Sequence, residues 1–256
     1  MAEYDLSACI VLYHTPMSDL RQVMACLKQS SVPADIYLVN NGPDDENAAI
    51  IRENYPDVTF LQQRENLGFG KGNNAILPYI KSRYHLIVNA DASFEPDLLE
   101  KMIAWMNSHP DAAVLTPRVL NPDGTEQLLP KKYPTVRYLL SGFLEEKSAH
   151  FRKIRREYTM ADADMSQPTA VHFATGCFLL IRTEIFRQLN GFDERFFMYQ
   201  EDCDLSRRVD AVGKIIYHPD FCIVHAWKRE NTRTASGIRR QVRSIAKYFR
   251  KWGLRW

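Results

Sequence analysis

Strand-length apolar runs alternate with helix-length amphipathic runs through the first 117 residues, and few folds accommodate that rhythm. Residues 6–13, 36–39, 58–61, 86–88 and 113–115 are short and nearly continuous in apolar side chains, as strands buried on both faces are. Between them the pattern predicts helices over 17–29, 45–54, 66 to about 81, and 96–107. The first of these carries Leu20, Val23, Met24 and Leu27 on one face. Short links between strand and helix demand an α/β fold, a mostly parallel central sheet flanked by helices.

The alternation breaks after residue 117. Asn121-Pro122-Asp123-Gly124 reads as a tight turn, and 131–156 as a single basic amphipathic helix. Strands resume at 172–173, 178–181, 215–217 and 222–225. The chain thus divides into residues 1–117, residues 118–226 and a tail, 227–256. In the tail Ile238, Val242, Ile245, Phe249, Trp252 and Trp256 recur at helical spacing with Lys and Arg between them. Such a helix either docks on the core with a solvated basic face or lies on an anionic membrane surface.

At 256 residues, 45% hydrophobic and 25% charged, the chain is long enough for a substantial core and ordinary in composition. Five scattered cysteines without a CxxC pair argue for reduced thiols in a cytoplasmic setting and against a disulfide framework or zinc site. No signal peptide opens the chain and no apolar run reaches membrane-spanning length, so neither a leader nor a transmembrane segment is expected. The net charge of +2 conceals an asymmetry: ten of the 33 Lys and Arg, but one of the 31 acids, fall in 227–256. A basic tail on an acidic body seeks phosphate, on a diphosphate substrate, anionic lipid or nucleic acid.

Four groups of residues can carry chemistry. Glu201, Asp202 and Asp204 follow the aromatic cluster Phe192, Phe196, Phe197 and Tyr199. Acids suit the first turn of a helix, and Asp204 with Arg208 is an i,i+4 pair; beside an aromatic wall they equally suit a catalytic base. Asn89-Ala90-Asp91 ends an apolar strand, at the sheet edge where open α/β folds bind ligands, and Asp91 either caps a turn or grips a hard divalent ion. The glycine-rich segment Gly68-Phe69-Gly70-Lys71-Gly72 opens a helix and lacks both dinucleotide and P-loop spacing. His225 ends a strand just before Lys228, Arg229 and Arg233, as a surface histidine or as a metal ligand beside a diphosphate-neutralising cluster.

Taken together, these pieces resemble glycosyltransferase family 2, with its GT-A fold, over residues 6 to about 225. The residues that carry the resemblance are Val11-Leu12-Tyr13-His14, the segment from Leu38 to Asp44, Asn66 through Asn74, Asn89-Ala90-Asp91, Thr175-Gly176, the block from Gly191 to Asp204, and His225. The last long block looks most like the rhamnosyltransferase-type branch. The resemblance implies an inverting hexosyltransferase in cell-wall polysaccharide synthesis, moving a sugar such as L-rhamnose from a dTDP donor to a glycan or polyprenyl-diphosphate-linked acceptor. Tyr13, His14, Asn40, Asn41, Asp44, Asn66, Gly68, Gly70, Lys71, Asn73, Asn89, Ala90 and Asp91 would hold the donor. Thr175, Gly176, Phe197, Tyr199 and Glu201 would hold the acceptor, and Asp202, with Glu201, would supply the base. Asp91 and His225 would bind Mg²⁺ or Mn²⁺, and Lys228, Arg229 and Arg233 the diphosphate. Where the family commonly has Asp, this chain has Asn40 and Asn89, which keep an acceptor but lose a charge, so that base or ribose recognition would differ and metal binding would be weaker. The basic tail implies peripheral attachment to the inner face of the plasma membrane, and homo-oligomerisation is left open. Two other functions compete: a nucleotidyltransferase, which would want a glycine-rich basic loop where Tyr13-His14-Thr15-Pro16 stands, and a nucleic-acid-binding module using the tail.

Overall fold

The computed structural model describes residues 4–226 and 235–256. The alternating first half forms β1 (Leu6–Leu12), α1 (Met17–Gln29), β2 (Ala34–Asn40), α2 (Glu46–Asn54) and β3 (Thr59–Gln62). It continues through α3 (Phe69–Asn74), β4 (Tyr84–Val88), β5 (Ala92–Phe94), α4 (Leu98–Ser108) and β6 (Ala112–Leu120). The second half adds α5 (Val136–Leu144), α6 (Ala149–Tyr158), β7 (Thr169–Val171), β8 (Phe178–Arg182) and α7 (Thr183–Gln188). α8 (Glu201–Val209), β9 (Lys214–His225) and α9 (Ala235–Trp252) complete it.

One sheet runs through both halves in the order β3-β2-β1-β4-β8-β6-β9-β5, with β7 also paired to β9. Its first four strands are parallel, as the short links require. β8 then inserts antiparallel between β4 and β6, bringing residues 174–177 to the sheet edge where Asn89 emerges from β4. Apolar side chains of β1, β4 and β8 pack with α1 and α4 on one face, where Leu20, Met24, Met102 and Phe178 are fully buried. Ile76, Phe186, Phe192 and Val209 fill the other.

Several boundaries differ from the sequence pattern. Residues 131–156 form two helices rather than one: Thr135 caps α5 by accepting from the Tyr138 N–H, and the chain turns after Leu144. The pair closes over Tyr138, Ile154 and Tyr158, and Glu157 accepts from the Tyr138 hydroxyl and from Arg137. α3 stops at Asn74 instead of reaching about residue 81, its last turn passing into three-residue turns before Pro78. Strand β7 precedes the predicted 172–173. The runs at 215–217 and 222–225 are one strand, joined through a register irregularity opposite Pro117-Arg118. β5, only three residues long, was not legible as a strand.

Candidate active site

The carboxyl ends of β1, β2 and β4 and the end of β9 converge on one edge of the sheet. Beyond β1, exposed Tyr13 and His14 stand ring edge to ring face, 4.4 Å between centroids, with His14 at φ 49°. Asn40 turns inward: its Nδ2 donates to Pro43 O and Gln62 Oε1, while its Oδ1 accepts from the Gly42 N–H at 3.0 Å. The Asn in place of Asp therefore holds the 40–44 turn through donors an Asp lacks. Asn41 donates to Gly68 O at 2.9 Å, and Asp44 lies on the surface in an ion pair with Arg52.

β5 pairs antiparallel with β9 so that Ala92 lies opposite His225. That register sets Asp91 Oδ1 3.3 Å from His225 Nε2, and Asn89 Nδ2 lies 3.2 Å from the same nitrogen. The other ring nitrogen faces buried Gln127, a residue the sequence pattern did not single out. The Ala90 backbone joins Asn89 to Asp91 at the same edge. Lys228, Arg229 and Arg233 lie outside the described residues.

The glycine-rich segment serves the acceptor side as much as the donor side. Gly68, at φ 78°, lies so close to the 192–200 turn that a Cβ there would come within 1.9 Å of Phe197 O, which a larger residue could not accommodate. The Asn66 side chain accepts from the Gly68 N–H, and the Phe69 N–H donates to Phe197 O. A Cβ on Gly70 would meet Phe192 and Glu201. Asn73 donates to Phe69 O, while Lys71 reaches Glu194 at 3.8 Å. Neighbouring Asn74 both donates to Phe192 O and accepts from its N–H, at 2.8 Å each, fastening α3 to a turn 118 residues away.

That turn delivers the acids. Tyr199 and Gln200, both at φ 69°, precede α8, an arrangement costing about 1–3 kcal/mol per residue and characteristic of sites where geometry matters more than stability. Half-buried Asp202 accepts from the Gly176 N–H at 3.2 Å and the Cys203 N–H at 2.8 Å. Burial raises its pKa above the ordinary Asp value, outweighing those N–H bonds and the charge of Lys131, another residue the pattern did not flag. One residue along from Gly176, Cys177 O accepts from the Asn89 N–H. The segment 176–177 therefore separates the Asp91 side of the site from the Asp202 side. Among the described residues, the buried Asn41 Oδ1, Asn73 Oδ1, Thr175 Oγ1, Gln200 Oε1 and Glu201 Oε2 find no hydrogen-bond partner. Unpartnered buried oxygens concentrated on these loops suit a polar ligand.

Glu201 is buried, and burial, reinforced by the adjacent Asp202 carboxylate, pushes it well above the usual Glu range. In the unfolded chain the same carboxyl ionises near 4.5. Its contribution to stability is therefore complete below that value and lost as pH rises through the folded pKa. Glu201→Gln, neutral throughout, should lose less Tm than the wild type as pH rises above about 4.5. Identical pH–Tm profiles would show that Glu201 ionises without cost.

The donor set fits a divalent cation held jointly with substrate. Among the described residues no group of three or more His, Cys, Asp or Glu side chains is placed to hold a metal. Two side chains, Asp91 and His225, face one point, and a hard ion completes its shell with water and phosphate oxygens.

The sequence profile described as glycosyl transferase family 2 matches residues 7–189. An N-acetylglucosaminyl-diphospho-decaprenol L-rhamnosyltransferase of Mycobacterium tuberculosis is 25% identical over 237 residues, covering 86% of this chain and 76% of that protein. The rhamnosyltransferase WbbL of Escherichia coli K12 is 28% identical over 217 residues, covering 76% and 78%. Among solved structures, a Pyrobaculum calidifontis mannosyltransferase in complex with GDP-Man and Mn²⁺ superposes with a TM-score of 0.62 at 17% identity. That alignment covers 97% of this chain but 65% of the mannosyltransferase, so the protein spans less than two thirds of it. The fold is thus of GT-A type, and the sheet edge that gathers Asp91, His225 and Asp202 lies within it. The chain belongs to glycosyl transferase family 2, in its rhamnosyltransferase-like branch, and is a glycosyltransferase.

Proposed function

We propose that the protein transfers a sugar, L-rhamnose from dTDP-rhamnose, to a hydroxyl of a glycan or polyprenyl-diphosphate-linked acceptor, with inversion, in cell-surface polysaccharide synthesis. The observation that supports this reading is that Asp91 and His225, 3.3 Å apart, and the carboxyl group of Asp202 lie on either side of residues 176–177. Both bacterial relatives are rhamnosyltransferases, which favours rhamnose, and the diphospho-decaprenol acceptor of the Mycobacterium tuberculosis one favours a lipid-linked acceptor.

In this reading the nucleotide lies over Tyr13, His14 and the 40–44 turn, with its diphosphate toward Asn89-Ala90-Asp91. A bound divalent cation would supply charge neutralisation for the departing nucleoside diphosphate. Asp202, anchored by the Gly176 and Cys203 N–H groups, takes the proton of the acceptor hydroxyl. The hydroxyl oxygen attacks the anomeric carbon as the bond to the diphosphate oxygen breaks, and a single displacement inverts that centre. Phe197 and Tyr199 wall the acceptor side and exclude water.

The exposed face of α9 favours a peripheral position on an anionic membrane at the inner face of the plasma membrane. Ile238 and Val242 are 50% and 59% exposed, and exposed Arg239, Arg243 and Arg250 lie among them. Leu254 and Trp256 extend the surface, and the Arg255 carbonyl accepts from the Val136 N–H, placing α5 with its exposed Phe143 alongside. Among the described residues no helix is long and apolar enough to cross a membrane.

A thermal-shift panel of nucleotide sugars, each with and without Mn²⁺, tests the donor assignment. dTDP-rhamnose with Mn²⁺ should give the largest shift. A larger shift from a UDP- or GDP-sugar would replace the proposed donor, and no shift from any nucleotide sugar would remove the reading.

A further inference from the structure

We propose that Gln127 is a positioning residue that fixes the tautomer of His225 and so aims its Nε2 lone pair at the cation site; the inference rests on Asp91 and His225 being the metal pair. Gln127 is 5% exposed, and its backbone N–H donates to Val119 O. Its side-chain amide has one possible orientation. The Nε2 end lies 2.7 Å from His225 O, 2.9 Å from Asn121 Oδ1 and 3.5 Å from Leu120 O. Two of these are backbone carbonyls, which only accept, so the NH₂ must point toward them.

The amide oxygen is then left facing His225 Nδ1 at 3.3 Å. An acceptor there requires the Nδ1–H, and a neutral imidazole with its proton on Nδ1 carries its lone pair on Nε2. That lone pair faces Asn89 Nδ2 at 3.2 Å, which can donate to it, and Asp91 Oδ1 at 3.3 Å, which cannot. Lone pair against carboxylate oxygen is repulsive until a cation lies between them. The opposite tautomer would set the Nδ1 lone pair against the Gln127 oxygen and close the imidazole nitrogen to metal. Holding a ligating histidine through its second nitrogen is worth about 10–100-fold in metal affinity. Gln127 also donates to the backbone carbonyl of His225 itself, so one side chain fixes both the ring and the strand end that bears it.

The tautomer can be read without metal, nucleotide or turnover, by long-range ¹H–¹⁵N correlation on histidine-labelled wild type above the pH at which imidazole is charged. His225 is assigned by its loss in His225→Asn. The expected pattern is the Nδ1–H form, and a dominant Nε2–H form overturns the proposal even if Gln127 variants fail to fold. Mn²⁺ binding with dTDP, read by the EPR signal of free Mn²⁺, supplies the second measurement. Gln127→Leu should weaken it about 10–100-fold. Wild-type affinity in a folded Gln127→Leu also overturns the proposal. Absence of Mn²⁺ binding by the wild type would sink the metal reading alone, leaving the tautomer measurement to decide Gln127.

Discussion

Asp202→Asn should cut sugar transfer about 10²–10⁴-fold while donor binding stays at the wild-type level. The loss is that of a proton acceptor, because the amide cannot take up the acceptor's hydroxyl proton. Structure should survive the change. Asn retains an oxygen for one of the two N–H groups, of Gly176 and Cys203, that Asp202 satisfies, a loss of about 1 kcal/mol. Removing a carboxylate from beside Glu201 offsets part of it. Steady-state transfer assays with a thermal melt on the same preparation provide the check. Activity within about threefold of wild type would move the role to Glu201. Asp193 and Asp204 are poor substitutes because both are already committed to ion pairs, Asp193 with Arg195 and Lys251, Asp204 with Arg208 and Lys251.

Those pairs underlie the second large effect. Lys251→Met should lower the Tm by about 6–20 °C, from a loss of about 3–5 kcal/mol at about 2–4 °C per kcal/mol. Lys251 Nζ lies 2.7 Å from Asp193 Oδ2 and 2.6 Å from Asp204 Oδ1, and Asp204 is fully buried. Trp252 Nε1 donates to the same Asp204 oxygen, Ser244 to Met198 O, and Tyr248 is buried beside Cys203 and Phe196. This face of α9 braces the turn that presents Asp202. The opposite face bears Ile238, Val242, Arg239 and Arg243. Ile238→Ser with Val242→Ser should leave the Tm within about 2 °C yet reduce flotation with anionic liposomes, since exposed positions contribute little to folding. Undiminished flotation in the double variant would remove the membrane reading of this face. Deleting 235–256 would confound the two roles, because it strips the brace as well as the surface. A Tm unchanged by Lys251→Met would mean that Asp204 is adequately held by Arg208 and Trp252.

Local chemistry made much of this protein legible. Apolar runs without alternation can only be strands covered on both faces, and short links between them and helices leave little but a parallel sheet. Asp91 and His225 were legible as strand-end residues, and Glu201-Asp202 as an acid pair following aromatics. The Asp204–Arg208 pair follows from helix spacing alone, and the structure contains it. The tail was legible as a helix with basic and apolar positions, though not which apolar positions it buries: Tyr248 is covered while Ile238 and Val242 are not.

What remained illegible depends on contacts between distant segments. β5 is too short to show periodicity, yet its pairing with β9 is what brings Asp91 to His225. Gln127 is an ordinary polar residue in an irregular stretch, and only the fold places it behind that histidine. Asn74 and Gly68 read as parts of a glycine-rich helix entry; their partners, Phe192 and Phe197, lie more than 115 residues on. Asn40 read as part of the donor-holding turn, and only the fold shows its side chain bonding Gly42, Pro43 and, across to β3, Gln62. Sequence determined most of the element types, the candidate edge of the sheet and the candidate acids, because these follow from spacing and side-chain chemistry along the chain. Tertiary structure alone decided which oxygen faces which nitrogen, because antiparallel insertion of β8 and the docking of α9 join segments whose separation in sequence carries no trace of their contact.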